Sequence, residues 1–342
     1  MNQWVQIQQK LVPDLLKIMD ERFSILKTIG QFEPIGRRSL AEQLKKTERH
    51  IRSEIEFLVD QGLIDVTNKG MLLNETGKAI VKAYPNIMRE ATDLNLLEKK
   101  LQNLLSIEEV HIVPGDVDQV EDVKKLIGHK AATILMEKLN DDSIVSVTGG
   151  STVASIAEYL KPLDQISPLF VPARGGLGRN YDYQASSICV NMAQRMKGDY
   201  RLLHIPDAVS QPLYETMINE PDVIEVTQLI EEADIVVHGV GEAIKMAERR
   251  HTSIETINKM KENNAKGEAF GYYFDHEGQT IYRVNSIGMT REQLINKKCI
   301  ITVAGGSSKA EALLAFFRWG KSHVLVTDEG VAKSLLNLFE NK

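Results

Sequence analysis

From residue 107 onward, short runs of uninterrupted apolar residues alternate with stretches whose apolar positions recur at helical spacing. Candidate strands are Val110–Val113, Ile144–Thr148, Leu169–Ala173, Leu202–Ile205, Ile235–Gly239, Ile300–Ala304 and Val324–Thr327. Helical stretches such as Val123–Leu139 and Lys309–Trp319 lie between them. A strand that is apolar throughout must be covered on both faces, and helices between successive strands supply the cover. This predicts an α/β unit built on a mainly parallel, doubly wound sheet. A hairpin, Tyr272–Asp275 and Thr280–Val284 around Gly278, interrupts the alternation.

Ligands of such sheets bind beyond the carboxyl ends of the strands, and four loops there carry chemistry. In Ser146-Val-Thr-Gly-Gly-Ser-Thr152, Gly149 and Gly150 let a ligand approach the backbone. The amides at the helix start attract an anion, and the Ser151 and Thr152 hydroxyls add donors. The alternative, a tight turn with an ordinary cap, needs fewer glycines and hydroxyls than are present. Cys299-Ile-Ile-Thr-Val-Ala-Gly-Gly-Ser-Ser-Lys309 repeats the arrangement with Gly305, Gly306 and Ser307, and adds a cation at Lys309. Two cradles in one sheet suggest a ligand with two anionic ends. The third loop places Arg174 directly after a strand. The fourth, His238-Gly-Val-Gly-Glu242, precedes Arg249 and Arg250, one of which could pair with a phosphate or merely end a surface helix. Glu268, in Gly267-Glu-Ala-Phe-Gly271, could accept hydrogen bonds from sugar hydroxyls, and His238 reads as a satisfied core histidine.

The first 85 residues form a different module. Helical periodicity runs through Val5, Leu11, Leu15, Ile18, Met19, Phe23, Leu26 and Ile29. After Pro34 and Gly36, Ser39 and Glu42 make a capping-box pattern opening a short helix, and Thr47 can cap the next, which buries Ile51, Ile55, Leu58 and Val59. Arg49, His50, Arg52 and Ser53 fall on or beside the opposite face, as a recognition helix in the major groove requires. Leu63–Leu73, turning at Asn-Lys-Gly with Lys69 at its tip, supplies a wing, and Arg37 and Arg38 could clamp the phosphate backbone. A solvated charged face used for partner binding is the plainer alternative. Residues 1–90 hold 14 basic and 12 acidic residues, a surplus of two in a chain whose net charge is −6. That asymmetry weakly favours nucleic acid at this end. Tyr84-Pro85 is expected to break the helix, with a connector helix over 86–106 carrying Leu94, Leu97, Leu101 and Leu104 at heptad spacing. The expected domains are thus 1–85, a winged helix-turn-helix, the connector 86–106, and a ligand-binding and oligomerisation domain over 107–342.

Other classes are disfavoured. No apolar run reaches the ~18 residues of a membrane span, and the opening Met1-Asn-Gln-Trp-Val-Gln6 has no basic segment followed by an apolar core. The two cysteines, Cys189 and Cys299, have no metal-binding spacing and read as free thiols. A soluble cytoplasmic protein with neither metal nor membrane contact is expected.

The stretches Val147–Thr152, Arg174–Gly178, His238–Glu242, Glu268–Gly271, Ala304–Lys309 and Thr327–Gly330 together resemble the SorC/DeoR-like family of bacterial sugar-responsive transcription regulators. The resemblance covers nearly the whole chain. It implies a sheet domain derived from sugar-phosphate isomerases and a repressor of glycolytic genes that assembles as dimers and tetramers on double-stranded operator DNA. It further implies fructose-1,6-bisphosphate as an allosteric ligand, with no cofactor and no catalytic residues. Gly150, Ser151, Thr152 and Lys309 would then hold phosphate, with Arg174, Gln184, Arg249 and Glu268 around the ligand. The competing reading is a sugar-phosphate isomerase or deaminase with an appended DNA-binding-like domain. Such enzymes use the same phosphate loop, but no acid/base motif stands out here.

Overall fold

A computed structural model describes residues 14–91, 94–176 and 181–340. It divides into two compact units, residues 1–94 and 95–342.

In the first unit, helices span Asp14–Phe32, Arg37–Gln43 and Glu48–Asp60, followed by an antiparallel hairpin of β1 (Ile64–Thr67) and β2 (Gly70–Leu73). Ile25 and Ile29 of the first helix, Leu40 of the second, Ile51, Ile55 and Leu58 of the third, and Ile64 and Met71 of the hairpin form one core. Thr47 caps the third helix, its side chain accepting from the His50 amide at 3.3 Å. Val59, expected inside, is 40% exposed, because it lies a residue past the Ile51–Ile55–Leu58 stripe. The Ser39–Glu42 capping box does not form. The helix starts three residues earlier, at Arg37, with Gly36 before it and no side-chain cap. Pro85 does not break its helix either, since Glu75–Ala91 is continuous. A proline inside a helix loses one rung at about 3 kcal/mol, which the turns on either side outweigh.

The second unit opens within the helix Leu94–Leu105, in which Leu101 is buried and Leu104 is exposed. Its Glu98 side chain accepts from the Ile112 amide at 2.7 Å, satisfying an outward donor of strand β3 (Glu109–Val113). Seven strands form a wholly parallel sheet: β3, β4 (Ile144–Val147), β5 (Leu169–Pro172), β6 (Asp199–Tyr200), β7 (Ile235–Gly239), β12 (Cys299–Ala304) and β13 (Val324–Asp328). Their spatial order is β3-β13-β12-β7-β4-β5-β6. The expected strand Leu202–Ile205 is absent. The edge position is held by the two-residue β6, whose pairing with Leu169 and Phe170 ends before Leu202. Between β7 and β12 the chain builds a four-stranded antiparallel sheet, ordered β11-β10-β9-β8, from β8 (Gly241–Glu242), β9 (Ala265–Ala269), β10 (Tyr272–Asp275) and β11 (Thr280–Arg283).

That strand order has one reversal. From β4 the chain proceeds to β5 and β6, then returns to β7 on the other side of β4 and proceeds outward to β12 and β13. A crevice must open where neighbouring strands send their connections in opposite directions, here between β4 and β7.

His238, on β7, is fully buried against Phe270 and Phe316. Its Nε2 lies 2.9 Å from Thr302 Oγ1 and its Nδ1 3.1 Å from the Gly239 carbonyl. Burial pulls its pKa from 6.5 to about 4. A histidine that folds neutral contributes stability above pH 6.5, and that contribution is lost as pH falls towards about 4. Urea unfolding should therefore show wild-type stability falling over this interval by about 3 kcal/mol more than that of a His238→Gln variant. Parallel curves for the two proteins would show that His238 does not fold neutral.

Candidate functional site

The crevice between β4 and β7 is a cleft, and the loop after β4 forms one wall. Gly150 has φ +127°, a backbone state that favours glycine, and its amide donates to the Tyr183 carbonyl at 2.9 Å. A side chain on Gly149 would meet that same carbonyl at 2.7 Å. The glycine pair therefore lets residues 183–185 pack against the turn. The following helix, Ser151–Ala157, begins with amides that have no carbonyl one turn back, and Ser151 and Thr152 line the cleft, half-buried. Gln184 lines it from the other side of Tyr183.

The floor is a box of four buried charges. Arg250 donates from Nε to Asp207 at 2.7 Å, and from its two terminal nitrogens to Tyr273 and Glu268 at 2.9 Å each. Arg174 sits more loosely: 3.5 Å to Glu268 Oε1 and 3.4 Å to the Asp207 carbonyl. Its Nε is 2.6 Å from Asp207 Oδ1, yet neither atom makes an aligned hydrogen bond. That approach is a charge contact between two atoms still short of a partner. Glu268 Oε1 also accepts from the Gly271 amide at 2.7 Å. Burial penalises the Glu268 anion, but Arg250, Arg174 and this amide outweigh it and hold its pKa below the usual range. Burial likewise penalises the Arg250 cation, and Glu268 and Asp207 reverse the effect. For Arg174 burial wins and the pKa falls, although a guanidinium keeps its proton at any ordinary pH. The chain turns between β9 and β10 through Phe270 and Gly271, with φ of +53° and +82°. Gly271 has a second reason to be glycine, because a Cβ there would lie 2.6 Å from the Arg174 guanidinium.

Arg249 and Lys309 also line the cleft. Arg249 is exposed, and one of its terminal nitrogens lies 3.7 Å from the Met246 sulfur. Lys309 is 3.5 Å from Glu242. Among lining residues, Arg174, Arg249, Arg250 and Lys309 face Asp207 and Glu268, a surplus of two positive charges.

The second glycine loop differs from its sequence reading. Gly305 and Lys309 reach the cleft, whereas Gly306 and Ser307 do not. Their amides are already engaged: Gly306 donates to Asp328 at 2.7 Å, Ser307 to Asp116 at 3.1 Å and Ser308 to Asp118 at 2.8 Å. Anion-attracting backbone is present, as the glycines and serines indicate, but this protein's own carboxylates fill it. Nothing in the sequence marks Asp116 and Asp118 as those partners, and nothing marks Asp207 or Tyr273 as members of the charge box. Leu177–Asn180, the rest of the third loop, lies outside the described residues.

In the first unit, Arg37, Arg49 and Lys69 are exposed and make no ion pair among the described residues. Thr47, Arg52 and Ser53 are exposed as well. Other candidates are partly committed. Arg38 pairs with Glu48 at 2.9 Å, Arg52 with Glu56 at 3.3 Å, and His50 with Glu21 at 2.8 Å. The Arg38 and Arg52 pairs are solvent-exposed and exchange readily for another acceptor.

Residues 18–88 match the CggR N-terminal DNA binding domain, and residues 89–337 match the Sugar-bind family, a sugar-binding domain. Over 337 residues the chain is 46% identical to the central glycolytic genes regulator of Bacillus subtilis (strain 168), spanning 98% of this chain and 99% of that one. Its counterpart in Priestia megaterium (strain DSM 319 / IMG 1521) is 44% identical over 341 residues, 99% of this chain and 100% of its own. A SorC family transcriptional regulator from Enterococcus faecalis matches in structure with a TM-score of 0.67 at 35% identity, over 70% of this chain and 99% of its own. The full-length sorbitol operon regulator SorC of Klebsiella pneumoniae shares the fold at 17% identity, with a TM-score of 0.67 over 88% of this chain and 94% of its own. The chain therefore belongs to the SorC/DeoR-like family of transcription regulators, combining a DNA-binding with a sugar-binding domain, and its kinship is with regulators of glycolytic genes rather than with enzymes.

Proposed function

We propose that this regulator is a repressor of glycolytic genes, that its cleft binds fructose-1,6-bisphosphate, and that the bound sugar releases or remodels its complex with operator DNA. The observation that supports the ligand is the surplus of two positive charges lining a cleft with helix-start amides on one wall. Ser151 and Thr152 would hold one phosphate. Arg249 and Lys309 would engage phosphate oxygens, since neither is tied by a close aligned ion pair. Arg250 would shape the floor instead, because all three of its donor nitrogens already serve Asp207, Tyr273 and Glu268. Arg174, with long bonds and an unaligned Nε, would turn a donor towards the ligand. Glu268 and Gln184 would receive the sugar hydroxyls. The two-ended grip differs from the one first expected: loop amides serve one end, and side-chain cations rather than a second amide cradle serve the other.

On the DNA side, Arg49 and Ser53 would reach bases or phosphates from the helix Glu48–Asp60. Arg37 and Lys69 would flank them on the backbone, with Thr47, His50, Arg38 and Arg52 completing the surface. Two-fold operators are read by paired half-site binders, so dimers and tetramers are the expected assemblies. To move the regulator from mostly bound to mostly free, the ligand must prefer the released state by ~5 kcal/mol. A bisphosphate held at both ends has more contacts with which to supply that than a monophosphate.

Titration calorimetry should show fructose-1,6-bisphosphate binding at least roughly tenfold more tightly than fructose-6-phosphate, the worth of one charge-assisted contact set. Equal affinities would remove the two-phosphate reading. Arg249→Ala should weaken binding with the fold intact, whereas Arg250→Ala should lower the thermal midpoint as well, because it leaves Asp207 and Glu268 buried with less compensation. If both variants lose affinity and neither loses stability, the structural role given to Arg250 falls. In operator retardation assays, Arg49→Ala should weaken DNA binding and reduce the slope of log affinity against log salt by about one, with ligand affinity unchanged.

A further inference from the structure

We propose that Glu242 competes with the anionic ligand for Lys309 and so sets the concentration at which this regulator responds. The inference rests on the sugar-phosphate reading and adds a residue outside the cleft lining to it. Lys309 lines the cleft; Glu242 and Lys245 do not. One oxygen of Glu242, Oε1, lies 3.5 Å from Lys309 Nζ and 2.8 Å from Lys245 Nζ. A single carboxylate oxygen is thus shared between a half-buried lysine facing the ligand and a solvent-facing lysine behind it. A phosphate taking Lys309 must outbid Glu242, and the 2.8 Å contact to Lys245 leaves the carboxylate paired once it lets go.

A purely structural role for this carboxylate has little to support it. Glu242 occupies the residue before the helix Ala243–Arg249, where a side chain could cap the first turn, yet it makes no capping hydrogen bond. Burial pulls the Lys309 pKa down while Glu242 pushes it up, as expected of a cation whose main local compensation is this one carboxylate. Lys245 is held to Glu242 by their 2.8 Å contact and also lies in the field of Asp118, which itself accepts from the Ser307 hydroxyl and the Ser308 amide.

The device predicts opposite signs from two substitutions and a specific interaction between them. Calorimetric titration with fructose-1,6-bisphosphate of the full-length protein should show Glu242→Gln binding roughly fivefold more tightly, since a partly exposed ion pair is removed from the competition. Lys245→Gln should bind about twofold more weakly, because Glu242 then turns fully to Lys309. In the Glu242→Gln background, Lys245→Gln should have no further effect. Unchanged or weaker binding by Glu242→Gln overturns the proposal. So does a Lys245→Gln effect that persists at full size in the double variant, since that would be the general field of a nearby charge. A wild-type protein that binds neither the bisphosphate nor inorganic phosphate overturns this proposal together with the sugar-phosphate reading. Wild-type binding with unaltered Glu242→Gln sinks this proposal alone.

Discussion

Glu268 carries more of the site than any other side chain, because one of its oxygens collects the two guanidiniums of Arg174 and Arg250 and the amide of Gly271. A carboxylate removed from water is costly unless it is paired and hydrogen-bonded. Here the pairing reaches across the fold. Arg174 comes from the end of β5, Arg250 from beyond β7, Asp207 from the loop after β6, and Glu268 from the inserted antiparallel sheet. The box is neutral as a set, with two cations and two carboxylates, so its internal charge is satisfied before any ligand contact. It binds the small sheet to the carboxyl ends of the large one, and the surplus positive charge of the cleft lining comes from Arg249 and Lys309 outside the box.

The two glycine loops show how similar local chemistry reaches different ends. Both follow a central strand, both put a positive-φ glycine before a helical turn, and both aim amides outward. At the first loop Ser151 and Thr152, which begin the helix, line the cleft. At the second, Asp328 from the end of β13 and Asp116 and Asp118 from the loop after β3 take the amides one by one. Asp328 is completely buried, and burial pushes its pKa up against the amides of Val331, Val117 and Gly306. The second loop is thereby stiffened, and it holds Lys309 in place at its end. An anion-binding turn has become a brace for a cation.

A transcription factor that senses a metabolite needs two surfaces with different electrostatics. In the DNA-binding domain the helix Glu48–Asp60 exposes Arg49 and Arg52 to solvent, where salt screens and counterions exchange. The cleft keeps the side chains of Arg174 and Arg250 largely out of water, where charge contacts are stronger and less dependent on ionic strength. Dividing these tasks between two compact units lets each charge set be tuned without compromising the other.

Several features were legible in the chain alone. Apolar strands separated by helical stretches dictated a parallel sheet, since unbroken apolar strands have no other stable cover. Thr47, the Ile51–Ile55–Leu58 stripe and the Asn-Lys-Gly turn specified the third helix and the wing through local periodicity and capping. Gly149 to Thr152, Arg174 and Lys309 were identifiable because they follow strand ends, which converge in this kind of sheet. Arg249 and Arg250, at the end of the helix Ala243–Arg249, and Glu268, inside β9, reach the cleft only through tertiary packing. What sequence left open was partnership: which arginine is tied at all three of its nitrogens, which amides are taken, and which carboxylate contacts Lys309. Those outcomes turn on contacts between residues up to about two hundred positions apart, such as Ser307 with Asp116. Local spacing determines where a side chain points along its own element, but only the packing of distant elements decides what it meets there.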